Sequence, residues 1–145
     1  MTNHCDLIPE LADWNNGEGI TPSDWIWIEG RADHALGFCS FFWPDFVLFE
    51  DYVLRSPFNI ELLRDWERNG ALSRQQIETA MNAYLLDGVF PRDQAAQALK
   101  DAQCEHLVTV MADMLEAKLA RDFPQRRFSA FAMGGDDFGV SFHQV

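Results

Sequence analysis

Apolar residues follow a helical spacing in five segments of this chain and a strand-like pattern in two others. The first helix is predicted over residues 21–30. Its opening segment, TPSD, supplies an N-cap, a proline for the first turn and a reciprocal capping carboxylate, and a glycine ends it. The second helix is predicted from Arg31 to Trp43, because a residue that precedes a proline is disfavoured in a helix. Three further helices are predicted over about 59–70, 73–86 and 93–121.

Two of these helices carry apolar residues on more than one side. In the second helix, Leu36, Cys39 and Trp43 share one side and are predicted to face the core, which would leave Phe38 or Phe41 near the surface. In the last helix, apolar residues cover close to half of the circumference, so this helix is predicted to be central. They are Leu107, Val108, Val110, Met111, Met114 and Leu115.

Two segments have the composition and alternation of β-hairpins. Residues 46–55, FVLFEDYVLR, predict strands over 46–49 and 52–55, with Glu50-Asp51 as the break between them. Residues 128–143 alternate in the same way and predict a second hairpin, with Gly-Gly-Asp-Asp at 134–137 as its turn. The predicted order is α α ββ α α α ββ. This describes one mostly helical α+β domain over residues 1–145, with residues 1–20 partly irregular, whose two hairpins could share one antiparallel sheet.

Residues 134–138, GGDDF, resemble the active-site loop of the diguanylate cyclases, which also joins two strands of a hairpin. The resemblance implies nucleotide and metal binding at this loop. The rest of the family pattern is missing, because no D-x-D motif lies upstream and only seven residues follow Phe138. Two-metal phosphoryl chemistry needs several carboxylates and basic phosphate ligands, and the chain has two lysines. The segment is therefore predicted to be a tight turn.

Composition predicts a protein that folds without disulfides in a reducing compartment. The 145 residues are 48% hydrophobic and include twelve Phe and five Trp, enough for a core rich in aromatic rings. The three cysteines show no paired spacing. The N-terminus lacks the features of a signal peptide, and no apolar run approaches the length of a membrane span. We therefore expect a cytoplasmic protein with no membrane contact.

Negative charge is concentrated at the start of the chain. The net charge is −12, and residues 1–57 hold ten acidic and two basic side chains. Such a surface repels nucleic acid, and it attracts a basic partner or simply keeps the protein soluble.

No catalytic, cofactor-binding or metal-binding residues are predicted. Phosphate-binding loops and nucleophile elbows do not occur in the sequence. His4-Cys5 and Cys104-x-His106 could meet as a zinc site, but neither pair has the usual ligand spacing. Cys39 and His34 are five residues apart, which separates them by about 140° around a helix. The acidic residues are expected to be solvated, because the sequence does not show whether any two share a cleft.

The aromatic block between residues 38 and 52 has two interpretations. It can be core packing, or it can be a binding surface with apolar residues at the centre and acidic residues at the rim. The second interpretation predicts the partner-binding residues Asp33, Phe38, Phe41, Asp45, Glu50 and Asp51. The same surface could also support a homodimer.

The sequence thus favours a non-catalytic, acidic module that binds and masks a basic protein, as small immunity and inhibitor proteins do. The alternatives are a secretion-type chaperone and a small enzyme with an unrecognised carboxylate site.

Overall fold

Helices and two small antiparallel sheets follow one another in a computed structural model that describes residues 3–86, 88–90, 96–133 and 137–145. The predicted α+β class, mostly helical with two hairpins, is confirmed. The helices are α1 (His4–Leu7), α2 (Pro22–Glu29), α3 (Ala32–Phe42), α4 (Ile60–Asn69), α5 (Arg74–Met81) and α6 (Gln97–Asp122). The strands are β1 (Phe46–Phe49), β2 (Tyr52–Arg55), β3 (Tyr84–Leu85), β4 (Phe128–Met133) and β5 (Gly139–Gln144).

The N-terminal region has the predicted capping signals. Two 3₁₀ turns, Pro9–Ala12 and Asn15–Gly17, follow α1, in keeping with a partly irregular start. At the start of α2, the Thr21 hydroxyl accepts the Asp24 backbone N–H, and the Asp24 carboxylate accepts the Thr21 backbone N–H. These reciprocal bonds make the short apolar segment a helix and not a strand.

Helix α6 is the central helix, as predicted. Its side chains form most of the main core, together with residues of β2 and β5; the fully buried members are Val53, Leu86, Cys104, Val108, Met111, Ala112, Leu115, Leu119, Val140 and Phe142. The first residues of the predicted helix, 93–95, lie outside the described residues. None of the helices that the structure describes is both long enough and apolar enough to cross a bilayer.

Strand β2 lies between two hydrophobic clusters. Val53 belongs to the cluster around α6, whereas Tyr52 and Leu54 belong to a second cluster with Leu63 of α4 and Ile77 of α5. Side chains alternate between the two faces of a strand, so a strand with apolar residues on both faces can join two cores. This explains why the predicted hairpin at 46–55 is apolar on both sides.

The predicted core face of α3 is wrong. Leu36, Cys39 and Trp43 are all exposed, and α3 has no fully buried residue. Phe41 and Phe42 pack against the main core instead. Both faces of this helix are apolar, so its own pattern does not determine which face packs on the core. The Phe41 ring contacts the rings of Phe42, Tyr84 and Phe90, and these aromatic contacts favour burial of the phenylalanine face.

The helix predicted over 73–86 ends early, at Met81, and the residues that follow form β3. Tyr84 pairs with Val140 and Leu85 pairs with Gly139 of β5. A Cβ atom at Gly139 would lie 2.7 Å from the Tyr84 carbonyl oxygen and from the Leu85 side chain, so only glycine admits this close approach. Strand pairing therefore overrides a side-chain pattern that is also compatible with a helix.

The two hairpins form separate sheets, so the expectation that they could share one sheet is wrong. One sheet contains β1 and β2, and the other has the order β3-β5-β4. Two buried side chains of the α5 region lie between the sheets, and their bonds to β2 and β5 use backbone groups that a shared ladder would need. Glu78 accepts the backbone N–H of Val53 (2.9 Å) and of Gln144 (2.5 Å).

Asn82 makes the corresponding contacts at the end of α5. Its Oδ1 accepts the Arg55 backbone N–H (2.9 Å), and its Nδ2 donates to the carbonyl oxygens of Val53 (2.8 Å) and Phe142 (3.5 Å). The Glu78 carboxylate and the Asn82 amide thus connect the two sheets in place of direct backbone pairing. We call these two side chains the inter-sheet bridge.

Both hairpin turns were predicted from polar residues, and one of them is described. Glu50 and Asp51 have φ values of 47° and 71°, the left-handed conformation of a two-residue hairpin turn. The predicted turn of the second hairpin falls mainly on residues 134–136, outside the described residues.

We predict that Asn82→Ala lowers the free energy of unfolding by about 2–4 kcal/mol, because it leaves the buried Val53 carbonyl and Arg55 N–H without partners. Urea denaturation measures the change. Asn69→Ala, at an exposed helical position, is the matched control and should change stability by less than about 0.5 kcal/mol. Equal effects of the two substitutions would show that the bridge contributes nothing.

We also predict that Met111→Ala costs about 2–5 kcal/mol, because Met111 has no exposed surface and its truncation leaves a cavity beside the sheet. Glu116→Ala, at an exposed position of the same helix, controls for the change in helix propensity. A loss under about 0.5 kcal/mol for Met111→Ala would contradict the central position of α6.

Candidate functional site

The largest exposure of apolar side chains lies on α2 and α3. Helix α2 contains four consecutive apolar residues, Trp25 to Ile28, and successive residues turn by about 100°, so they point in every direction around the helix. Trp25 is half-buried, whereas Ile26 is 60% exposed and Trp27 is 91% exposed. A helix with this pattern cannot bury all of its apolar residues against one body.

Helix α3 continues this exposed region. Leu36 is 74% exposed and Phe38 is 38% exposed. A groove of about 620 Å³ runs between α2 and α3, lined by Ile26, Ala35 and Phe38 together with polar residues. Leu36 lies on the other side of α3, next to the first hairpin, so the exposed apolar surface at the groove is that of Ile26, Ala35 and Phe38. Apolar side chains that line a groove mark an interaction site more often than isolated exposed residues do. We call the exposed side chains of α2 and α3, with this groove, the α2–α3 surface.

Two hydrogen bonds hold the N-terminal region in place. One joins two segments of this region, and the other joins the region to α6. The Trp25 indole N–H donates to Glu10 Oε1 at 2.6 Å, which joins the first 3₁₀ turn to α2. The Gln103 side chain donates to the Leu7 carbonyl at 2.7 Å, which joins α1 to α6. The α2–α3 surface is therefore held in place although neither of its helices contributes a fully buried residue.

Along the chain, exposed carboxylates lie before and within the two helices of the α2–α3 surface. Seven acidic residues lie between residues 3 and 43, all exposed: Asp6, Glu10, Asp13, Glu18, Asp24, Glu29 and Asp33. Within the described structure, only Asp33 among them forms a salt bridge, with Arg31 at 2.6 Å. This bond lowers the pKa of the Asp33 carboxyl. Among the residues that the structure describes, no arginine or lysine lies within salt-bridge distance of the other six, although Asp6, Glu10, Glu18 and Asp24 accept hydrogen bonds from neutral side chains.

The two acidic residues of the first hairpin turn, Glu50 and Asp51, both form salt bridges. Glu50 binds Arg64 through two bonds of 2.7 Å, and Asp51 binds Arg126 at 2.8 Å. The arginine hydrogen bonds lower the pKa of both carboxyls. Arg74 also donates to the Glu50 carbonyl. These carboxylates connect the turn to α4 and to the C-terminal region, so much of their charge is already compensated.

The structure thus places the six predicted partner-binding residues in separate groups. Asp33, Phe38 and Phe41 are on α3, where the rings of Phe38 and Phe41 are 5.4 Å apart. Asp45 precedes β1 and is exposed, and Glu50 and Asp51 follow β1. Five residues of extended chain span about 16 Å, so Asp45 and Glu50 do not form one cluster.

Phe38 and Phe41 also differ in their surroundings. Phe41 packs on the main core, and its ring lies 5.5 Å from that of Tyr84. Phe38 lines the α2–α3 groove and a second cavity, of about 410 Å³, between the N-terminal region and α6. Of the two rings, Phe38 is therefore the one that a partner could contact.

Sequence reasoning missed Ile26 and Trp27 as surface residues. The signal was present, because four consecutive apolar residues on a short capped helix cannot all face inward. Trp27 lies two residues from the half-buried Trp25, which places it about 160° away around the helix.

The metal and thiol candidates do not form sites in the part of the chain that is described. His4, Cys104 and His106 do line the second cavity together. However, no group of three or more His, Cys, Asp or Glu side chains among the described residues is arranged to hold a metal ion. The Cys39 thiol donates to the Ala35 carbonyl of its own helix at 3.4 Å.

Comparisons with known proteins give no information about the function of this chain. The chain matches no protein-family model, no curated protein and no solved structure. The function therefore has to be argued from the surface chemistry of the described residues.

We predict that the stabilising effect of Asp51 depends on pH. Its pKa is lowered in the folded state by Arg126, so its contribution is fully present above the unfolded carboxyl pKa of about 3.9 and is lost as the pH falls through the lowered folded value. Asp51→Asn keeps a residue that tolerates positive φ. Urea denaturation should show the variant less stable at pH 7, with the difference shrinking towards pH 2.

Asp13→Asn is the matched control, because Asp13 is exposed and forms no salt bridge in the described structure. A stability difference for Asp51→Asn that stays constant between pH 7 and pH 2 would show that the Arg126 pair is not its source.

Proposed function

We propose that this chain is a non-catalytic binding module that recognises a basic protein through the α2–α3 surface, in the manner of an immunity or inhibitor protein. The observation that carries the proposal is the exposure of Ile26, Trp27 and Phe38 within a region of whose seven carboxylates only Asp33 forms a salt bridge in the described structure. An apolar centre supplies the affinity of an interface, and charges at the rim steer the encounter and select the partner.

The sign of the charge indicates the chemistry of the partner. Between residues 3 and 43, seven exposed carboxylates face one arginine, and that arginine is already bound to Asp33. A partner with clustered Lys and Arg side chains is attracted over about 10 Å at moderate salt. A second copy of this chain carries the same negative charge, and repulsion between the two copies opposes homodimerisation through this surface.

The hairpin acids fit this proposal less well than the acids of the N-terminal region. Glu50 and Asp51 are bound to Arg64 and Arg126, and a partner's lysine would have to compete with those bonds. Phe38 and Asp45 remain candidates for contact, because both are exposed and Asp45 forms no salt bridge in the described structure, whereas the charge of Asp33 is compensated by Arg31. The proposed interface therefore centres on α2 and α3 and extends to Asp45 without the hairpin turn.

We predict that the intact chain, immobilised and exposed to native extract of its source organism, captures a basic protein. Capture should weaken as salt rises from about 50 mM to about 500 mM, because screening shortens the range of the charge attraction. The captured protein is identified by mass spectrometry and purified, and its affinity for the chain is measured by calorimetry. Capture of only acidic proteins, or capture that is insensitive to salt, would contradict the proposal.

Variants then test the surface with the purified partner. Ile26→Ser with Trp27→Ser should weaken binding by about tenfold or more, since exposed aromatic anchors dominate interface energies. Leu72→Ser removes an exposed apolar side chain elsewhere and should leave binding unchanged. Glu29→Lys should slow association, whereas Glu116→Lys, the matched change on α6, should do so much less. Equal losses for both members of either pair would exclude the α2–α3 surface.

A further inference from the structure

A cavity of about 480 Å³ lies between α3 and the first hairpin, apart from the groove of the α2–α3 surface. It is lined by apolar residues, among them Leu36, Trp43 and Pro57, and by polar residues, among them Asp45, Arg55 and Ser56. This volume is in the range of small-molecule sites, which combine apolar walls with a few polar groups.

Arg55 is the unusual residue of this cavity. Its Nε donates to the Asn82 carbonyl at 3.1 Å, but its Nη2 is buried and has no hydrogen-bond partner. None of the salt bridges in the described structure includes Arg55, although Arg31, Arg64, Arg68 and Arg126 each bind a carboxylate. Burial lowers the pKa of the Arg55 guanidinium to about 10, so it is still charged at neutral pH.

A buried guanidinium nitrogen without a hydrogen-bond partner, such as Nη2 of Arg55, is costly, and the cost falls when an anion binds it. Carboxylates bind guanidinium through two parallel hydrogen bonds, which use the fork of donors that Arg55 leaves open. The guanidinium carbon lies 5.3 Å from the centre of the Tyr84 ring, and this contact supports the charge only weakly.

The walls restrict which anion can bind. A single arginine with Asp45 in the same cavity favours a ligand with one negative charge, because a second negative charge would be repelled by Asp45 and left unpaired. The side chains of Leu36, Trp43 and Pro57 favour an apolar body next to that charge. We propose that this cavity binds a monocarboxylate with an apolar or aromatic body, whose carboxylate is held by Arg55.

Hydrogen bonds with Asn82 fix the position of Arg55 beside the cavity. Asn82 accepts the Arg55 backbone N–H through its side chain and the Arg55 Nε–H through its carbonyl, so both ends of the residue are positioned by one neighbour. The hydrogen bond at Nε leaves the outer edge of the guanidinium without a bond. Nη2 is buried in the free protein, so a contact through both nitrogens requires the guanidinium to turn Nη2 towards the cavity.

Calorimetric titration of the intact chain with N-acetylphenylalanine tests the proposal. We expect saturable binding with a Kd below about 5 mM, and binding of N-acetylphenylalanine amide weaker by about tenfold or more, because the amide lacks the charge that Arg55 pairs. Inorganic phosphate, with its higher charge and no apolar body, should bind no better than the amide. No saturation by about 10 mM, or equal binding of the acid and the amide, would overturn the site.

Substitutions test whether Arg55 is the residue that binds the carboxylate. Arg55→Met keeps the apolar stem and should weaken acid binding by about tenfold or more, whereas Arg68→Met, which removes the same charge from an exposed position, should leave it unchanged. Ser40→Trp fills the cavity from the exposed α3 without touching the Asn82 contacts, and it should abolish binding even if Arg55→Met fails to fold. Normal binding by Ser40→Trp, or an equal loss with Arg68→Met, would refute the assignment.

One further titration distinguishes the two sources of such a carboxylate. An acetylated tetrapeptide that ends in phenylalanine with a free carboxyl group carries the same terminal chemistry. Binding about tenfold tighter than N-acetylphenylalanine would identify the C-terminus of a protein chain as the ligand, and equal or weaker binding would identify a small molecule. Both results support the site.

Discussion

The inter-sheet bridge of Glu78 and Asn82 is the constraint on which the rest of this fold depends. Two hairpins that are far apart in sequence meet without pairing, because a carboxylate and an amide from one helix contact the backbone of both. A buried carboxylate is stable only when its oxygens accept hydrogen bonds, and here they accept from Val53 and from the backbone and side chain of Gln144. The bridge lets α5 lie against both sheets, so β2 can contribute to two hydrophobic clusters at once.

The same region connects the end of the chain to the first hairpin. The Gln144 side chain donates to the Asp51 carbonyl, and Arg126 donates to both Gln144 Oε1 and the Asp51 carboxylate. Acidic residues that the sequence presents as free surface charge are thereby used as structural contacts. The acidic residues of the N-terminal region differ in that most of them accept hydrogen bonds from neutral donors, as Glu10 does from Trp25 and Asp24 does from Thr21. Apart from that of Asp33, their charge is therefore not compensated by a salt bridge in the described structure.

Sequence patterns were sufficient for elements whose signals are local. The capping box of α2, the bounds of α4 and the strands of both hairpins depend on neighbouring residues, and all are found where the sequence predicts them. The core face of α3, the early end of α5 and the separation of the sheets depend on contacts between distant residues. A phenylalanine and a cysteine in one helix are both apolar, and only the packed structure decides which of them is buried.

The same distinction between local and long-range signals applies to the candidate site. The acidic residues of the N-terminal region and the need for α2 to expose some of its apolar residues could be recognised from the sequence. Which α2 residue is most exposed, Trp27, and the ion pairs of Glu50 and Asp51 could not.

Arg55 shows how the structural bridge and the proposed ligand site are linked. Asn82 satisfies the backbone of β2 and, through its own carbonyl, fixes the Nε of Arg55 beside the cavity. Arg74, Arg121 and Arg127 also form no salt bridge in the described structure, but Arg55 differs from them in having a buried nitrogen that lacks a hydrogen-bond partner there. A buried cation whose position is fixed but whose charge has no partner destabilises the free protein. That cost is offset when a bound carboxylate supplies the missing acceptors, so a ligand at this cavity would also stabilise the packing between the two sheets.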